Sequence, residues 1–265
     1  MLSRFFVEGV PLGLAQAVVV ASLALLVMLL ARGRGIHLER ETLVALARGL
    51  LQIVAVGSVL LLLLQGPVWL SIPVLLIMLL AAASIAARRA QGIPNAFVVS
   101  LVGISGGAGL TIVLMTLAGV IEPTIDSLIP VGSIVIANAM NTNSLALDRF
   151  RAEVASHVGQ VETALALGAA PNVTVAPYVQ SAVHASLIPR LDSLSSLGIV
   201  WIPGLMAGMI LSGEDPIYAA IYQFVVIAMI FCSAGLTSLA TTLLIRRQVF
   251  SAAHQLILRD PVRTR

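Results

Sequence analysis

Residues 10–31 read VPLGLAQAVVVASLALLVMLLA, twenty-two positions without a charged side chain, followed at once by Arg32 and Arg34. About 20 apolar residues in a helix rising 1.5 Å each cover the roughly 30 Å hydrocarbon core of a bilayer. The stretch exceeds the apolar core of a secretory signal, and no small-residue cleavage site follows Leu30, so it is expected to remain as a span. Six further apolar stretches, near 43–64, 67–87, 97–119, 128–147, 198–213 and 216–245, predict the rest of the membrane domain. The last is long enough to tilt or to run past the membrane. The stretch 198–213 is short and interrupted by Pro203 and Gly204, so a re-entrant or broken helix is its alternative.

Composition agrees. Of 265 residues 59% are hydrophobic and 10% charged, and mean hydropathy is +1.04. Soluble domains carry charge at about a quarter of positions, which excludes a soluble enzyme. The fold class is therefore all-α: a polytopic transmembrane bundle of about seven spans, one domain over 1–265. The single cysteine, Cys232, excludes a disulfide framework or a thiolate cluster within one chain.

All 15 basic residues are arginines. Sorted by the connections between spans, 14 fall on one side and only Arg4 on the other, which makes the arginine-rich side cytoplasmic. That side carries a net +7. The other, with Arg4 against Glu8, Glu122, Asp126, Glu214 and Asp215, carries −4. The N-terminus is then outside and the C-terminus cytoplasmic. The basic balance is a topology signal and not a nucleic-acid footprint.

Only the connection 148–197 is long. Val154, Val158, Val161 and Leu165 form one apolar helical stripe, Gly168 is placed to end that helix, and Pro171 with Asn172 to start another. Two cytoplasmic helices joined by a tight turn are expected. A hairpin lying on the bilayer surface is the alternative.

Gly103-Ile104-Ser105-Gly106 has the pattern of an intramembrane serine protease, but His37, His157, His184 and His254 all fall in cytoplasmic segments, leaving no base at membrane depth. Close helix packing is the better reading of Gly103, Ser105, Gly106, Gly107 and Gly109. No phosphate-binding loop of the Gly-x4-Gly-Lys type is present, so the chain has no means of hydrolysing ATP by itself.

Polar residues in hydrocarbon are costly and therefore informative. Asn138 and Asn141 with Ser133 and Ser144 mark the fifth span, either as a translocation surface or as interhelical hydrogen-bonding groups. Gln52 lies one turn from Arg48 on the second span, and Gln223, Thr237 and Thr241 form a weaker stripe on the last. Met140, Met206 and Met209 are possible soft ligands, although Met at helical spacing is more often core filler, and no metal ligand set is assigned. The candidate path is Gln52, Asn138, Met140, Asn141, Met206 and Met209. Gly204-x3-Gly208 is a close-packing pattern suited to a subunit interface.

Glu162-Thr163-Ala164-Leu165-Ala166-Leu167-Gly168-Ala169 resembles the Glu-Ala-Ala-x3-Gly coupling signature of ABC transporter permeases, with Thr163 in place of the first alanine. The Ile-x-Leu-Pro of classical importers is reduced to Ile188-Pro189 at a different distance. Pro130-Val131-Gly132, Ala137-Asn138-Ala139-Met140, Ser186-Leu187-Ile188-Pro189, Asp192-Ser193, Gly198 and Pro203-Gly204 with Met206 and Gly208 extend the likeness. Together they resemble the Fet-type iron-export permease family of bacteria, related to the plant aluminium-sensitivity membrane protein, over most of the chain.

The resemblance implies a non-catalytic, multi-pass subunit of the bacterial inner membrane that exports iron. It holds no cofactor and works with a cytoplasmic ABC ATPase, which uses the ATP, and with a second copy of itself. Glu162, Gly168, Ala169 and Pro171 match the coupling region. A membrane-embedded sensor and an ATP-independent channel or carrier are the alternatives.

Overall fold

The computed structural model describes residues 9–35, 39–63, 66–90, 92–251 and 255–258. Arg4, Glu8, His37 and His254, named above, and Arg259, Arg263 and Arg265, counted among the arginines, lie outside them. The regular structure of the described residues is helical apart from isolated bridges, of which Phe250 with Leu256 closes a small C-terminal turn. The chain divides into two compact units, Met1–Gly66 and Pro67–Arg265.

The first unit is α1 (Val10–Arg32) and α2 (Glu39–Leu63), which pack on each other. Neither buries an apolar face: Val18, Leu30 and Leu51 are 64, 68 and 74% exposed. Helices apolar on every side are stable in lipid, where each backbone group bonds within its own helix.

In the second unit, α3 (Ser71–Arg89) follows a single turn of tighter helix. The rod Ala96–Leu117 is α4 (Ala96–Ile104) and α5 (Leu110–Leu117), joined by a π turn over Ser105–Gly109. Next come α6 (Ile125–Ser156), α7 (Val158–Ala166), α8 (Pro171–Thr174), α9 (Ala176–Ser195), α10 (Gly204–Leu211) and α11 (Pro216–Gln248). Among the described residues five helical stretches are long and apolar enough to cross a membrane: α1, α2, the stretch ending in α3, the α4–α5 rod, and α11.

Glycine decides how closely the rod meets α11. A Cβ on Gly107 would lie 1.9 Å from Thr237 Oγ1 and 2.6 Å from the Ser233 carbonyl oxygen, and one on Gly103 would lie 2.1 Å from Thr241 Oγ1. Thr237 and Thr241 thus face these glycines, so the stripe expected on the last span is largely an interhelical seam. Gly204 and Gly208, by contrast, have nothing within 4 Å of a built Cβ. One apolar cluster joins α3, the rod, α6 and α11 through Leu79, Ala83, Ile104, Val135, Ala139 and Ile230. A second, around Phe150, Val154, Val175, Ala182 and Ile245, joins the C-terminal half of α6 to α4, α9 and α11.

One expectation is corrected. The stretch 198–213 forms no span: its only helix is α10, eight residues or about 12 Å, too short for a bilayer. The broken-helix alternative is the one observed.

The segment 148–197 contains the expected helices joined by a tight turn, α7 and then α8 with α9, and α9 lies against the bundle. α6 continues to Ser156, and α9 packs along α6 and α11. Ser181 Oγ donates to Glu153 Oε1 at 3.0 Å, Ser186 Oγ meets Ser238 Oγ at 2.7 Å, and Arg190 reaches Asn138. Moving forward along α9 moves backward along α6, so the two are antiparallel. The polar side chains Ser181, Ser186 and Arg190 are spent on these interhelical contacts.

Candidate functional site

Two regions gather the residues that the sequence marks. At one end of α6, the helix breaks at His157 (φ −121°) and restarts as α7. The apolar stripe survives the break, with Val154 and Val161 buried. His157 stacks on Tyr178 of α9 at 5.2 Å, tying α7 to the bundle. α7 then ends as its sequence predicts: Gly168 is left-handed (φ +87°), its N–H donates to the Leu165 carbonyl, and the Ala169 N–H reaches the Ala164 carbonyl. Pro171 opens α8 in the first turn, where its missing N–H costs nothing.

This turn brings Glu162, Gly168, Ala169 and Pro171 around one open cavity of about 790 Å³, with Gln255 and Leu256 of the C-terminal segment on its wall. Beside it Leu167 and Val173 stand 84 and 68% exposed, two apolar side chains offered to solvent. The Glu162 side chain is exposed as well. Such a surface suits a protein partner better than a small ligand.

The second region is a cavity of about 220 Å³ between α6, α9, α10 and α11, lined by Asn138, Arg190, Ser193 and Gln223 among apolar side chains. Arg190 supplies its only charge. Its Nη1 donates to Asn138 Oδ1, while its Nε is buried without a partner. Gln223 is 4% exposed, and its Oε1 is likewise buried and unpartnered. Thus Asn138 stands at a cavity.

Of the other candidate-path residues in the same unit, none lines this cavity. Met140 packs against the apolar cluster, Asn141 is exposed, Met206 and Met209 are half-buried on α10 outside the lining, and Gln52 is exposed on α2 of the first unit. Among the described residues no group of three His, Cys, Asp or Glu side chains could hold a metal ion.

Sequence reasoning missed two residues. Arg190 was counted with the cytoplasmic charges, although its apolar neighbours Leu187, Ile188 and Leu191 are a signal of a helix within the bundle. Asn143 is fully buried; its Nδ2 donates to Ser100 Oγ at 2.9 Å and its Oδ1 accepts from Thr241 Oγ1 at 2.6 Å. It continues the buried phase Gly132, Ile136 and Ala139, so following helical periodicity would have chosen it over the exposed Asn141.

A family model described as Uncharacterised protein family (UPF0014) matches residues 14–250. The chain belongs to this family. It is 31% identical over 236 residues to an Escherichia coli (strain K12) protein named as a probable iron export permease protein, FetB, covering 89% of this chain and 91% of that one. It is 32% identical over 253 residues to the Arabidopsis thaliana protein ALUMINUM SENSITIVE 3, covering 95 and 91%. The Bacillus subtilis UPF0014 membrane protein YjkA is 31% identical over 240 residues, covering 88 and 93%. No solved structure matches the chain. The resemblance expected from the sequence is thereby established at the level of the family: this is a membrane protein whose relatives include a named permease.

Proposed function

We propose that this chain is the membrane subunit of an ABC transporter, working as a pair with a separately encoded ATPase and moving iron out of the cell across the bacterial inner membrane. The observation that carries the reading is the coupling surface. Four residues matching the coupling region of ABC permeases line one solvent-open cavity at the end of a short, well-capped helix, beside exposed Leu167 and Val173. A rigid knob of this kind converts movement of a docked partner into movement of the helices behind it. Here α7 is tied to α9 through the His157–Tyr178 stack and to α6 through the continuous backbone.

In this reading α6 runs inward, α9 returns as the sixth crossing, and α11 runs inward again, with α10 a short helix on the outer side. Arg190 and Asp192 then leave the cytoplasmic tally together, so the net +7 on that side and the orientation drawn from it are unchanged. Iron as cargo is supported by the name of the E. coli relative. ATP is bound and hydrolysed by the partner.

The reading is tested with the purified permease and its ATPase together. The complex is expected to hydrolyse ATP faster than the ATPase alone, and Glu162→Arg or Gly168→Asp to abolish the stimulation while the variants still elute as folded protein. Full stimulation by both variants would remove the docking site.

A further inference from the structure

We infer that the cavity between α6, α9, α10 and α11 is a binding site for a small amphipathic hydroxycarboxylate, a monoanion with an apolar body and an O–H donor. The inference goes beyond the coupling reading and does not depend on it. Charge sets the sign of the ligand. Arg190 is the one ionised lining residue, no carboxylate or second base accompanies it, and a half-buried guanidinium whose Nε is shut off from solvent calls for an anion. A bare metal cation is disfavoured by the same residue. A second negative charge on the ligand would find no partner.

Arg190 is also held in a usable posture. Asn138 occupies Nη1, the nitrogen on the Cδ side of the guanidinium. That leaves the Nε–Nη2 edge, the side-on fork that matches a carboxylate, and Nε lacks a partner in the protein.

Gln223 sets the second requirement. Its buried Oε1 accepts from nothing in the protein, and buried acceptors rarely remain unpaired. A ligand hydroxyl would satisfy it, with Ser193 also on the wall. The rest of the lining is apolar, including Ile227, Phe231 and Trp201. Size follows from volume: a cavity of about 150 Å³ takes benzene, so about 220 Å³ accommodates a ring with two small substituents.

The test measures binding to the full-length protein in lipid nanodiscs by calorimetry. Mandelate and 3-hydroxybenzoate are the probes, phenylacetate and benzoate their partners without the hydroxyl, and inorganic phosphate the anion without an apolar body. At least one hydroxy acid is expected to bind about tenfold or more tightly than its partner and than phosphate, the range of one hydrogen bond to a buried group. Gln223→Leu is expected to erase the difference between hydroxy acid and partner, and Arg190→Lys to weaken both acids about tenfold or more.

Binding of neither hydroxy acid overturns the inference, as does binding untouched by Gln223→Leu. Tighter binding of phosphate overturns the choice of an organic anion. Should Arg190→Lys fail to fold, the wild-type selectivity and the Gln223→Leu comparison decide alone. Neither readout involves ATP or the partner, so failure here leaves the coupling reading standing, and failure of coupling leaves this one.

Discussion

Single atoms decide the packing of the rod against α11. At Gly107 an added Cβ meets the backbone oxygen of Ser233 and the backbone nitrogen of Thr237, both at 2.6 Å, and backbone does not rotate away as a long side chain does. Gly107→Ala is expected to destabilise by about 1–3 kcal/mol or more, read as a lowered thermal midpoint in detergent. Gly208→Ala, with open space around it, is expected to leave the midpoint of the isolated chain unchanged or slightly raised. Equal effects at both positions would refute the seam.

Asn143 acts at the same scale through hydrogen bonding. Asn143→Leu leaves the buried Ser100 and Thr241 hydroxyls without the amide and is expected to cost about 1–2 kcal/mol in the same assay. Asn141→Leu, on the exposed neighbouring face, should cost little. In the sequence these two asparagines look alike. Only the helical phase set by Gly132, Ile136 and Ala139 separates them.

At the scale of elements, α9 is the instructive one. Its residues Ser181, Ser186 and Arg190 are too polar for hydropathy to register a span, yet each contacts α6 or α11. Polar side chains in lipid are tolerated when a neighbouring helix answers them. In a Cys232→Ala background, Ser195→Cys is expected to react with a membrane-impermeant thiol reagent added from outside the cell. Labelling only from the cytoplasmic face would return α9 to that side.

Self-contained local chemistry carries its own signature in the sequence, although of the two cases here only the Gly168 turn is among the expectations above. Asp215 caps α11, its Oδ1 accepting from the backbone N–H groups of Ile217 and Tyr218 at 2.9 and 3.0 Å, with Pro216 at the first position. The Gly168 turn is another instance. Which helices become neighbours is not a local quantity: Arg190 reaches Asn138 from fifty-two positions away.

At the scale of the molecule, the two compact units differ in how they use apolar surface. α1 and α2 expose theirs, whereas the second unit buries two clusters. The proposed pairing with an ATPase predicts a complex whose mass by native mass spectrometry equals two permeases and two ATPases. Cells lacking the permease are expected to retain more iron after iron loading than cells that have it. Unchanged iron content would sink iron as the cargo while leaving the assembly to be judged by its mass.

Membrane residence, the all-helical class and the capped turn at 166–171 follow from the amino-acid sequence by itself, because each rests on local quantities. These are the apolar length against bilayer thickness, the period of 3.6, and the φ that glycine alone adopts freely. Tertiary structure decided that α9 belongs in the bundle and α10 does not cross, and that Arg190, Asn138 and Gln223 share one cavity. The physical reason is that a polar side chain in a helix has no fixed meaning until its neighbour is known. The same arginine is a surface charge beside water and a hydrogen-bonded cavity group beside a half-buried amide.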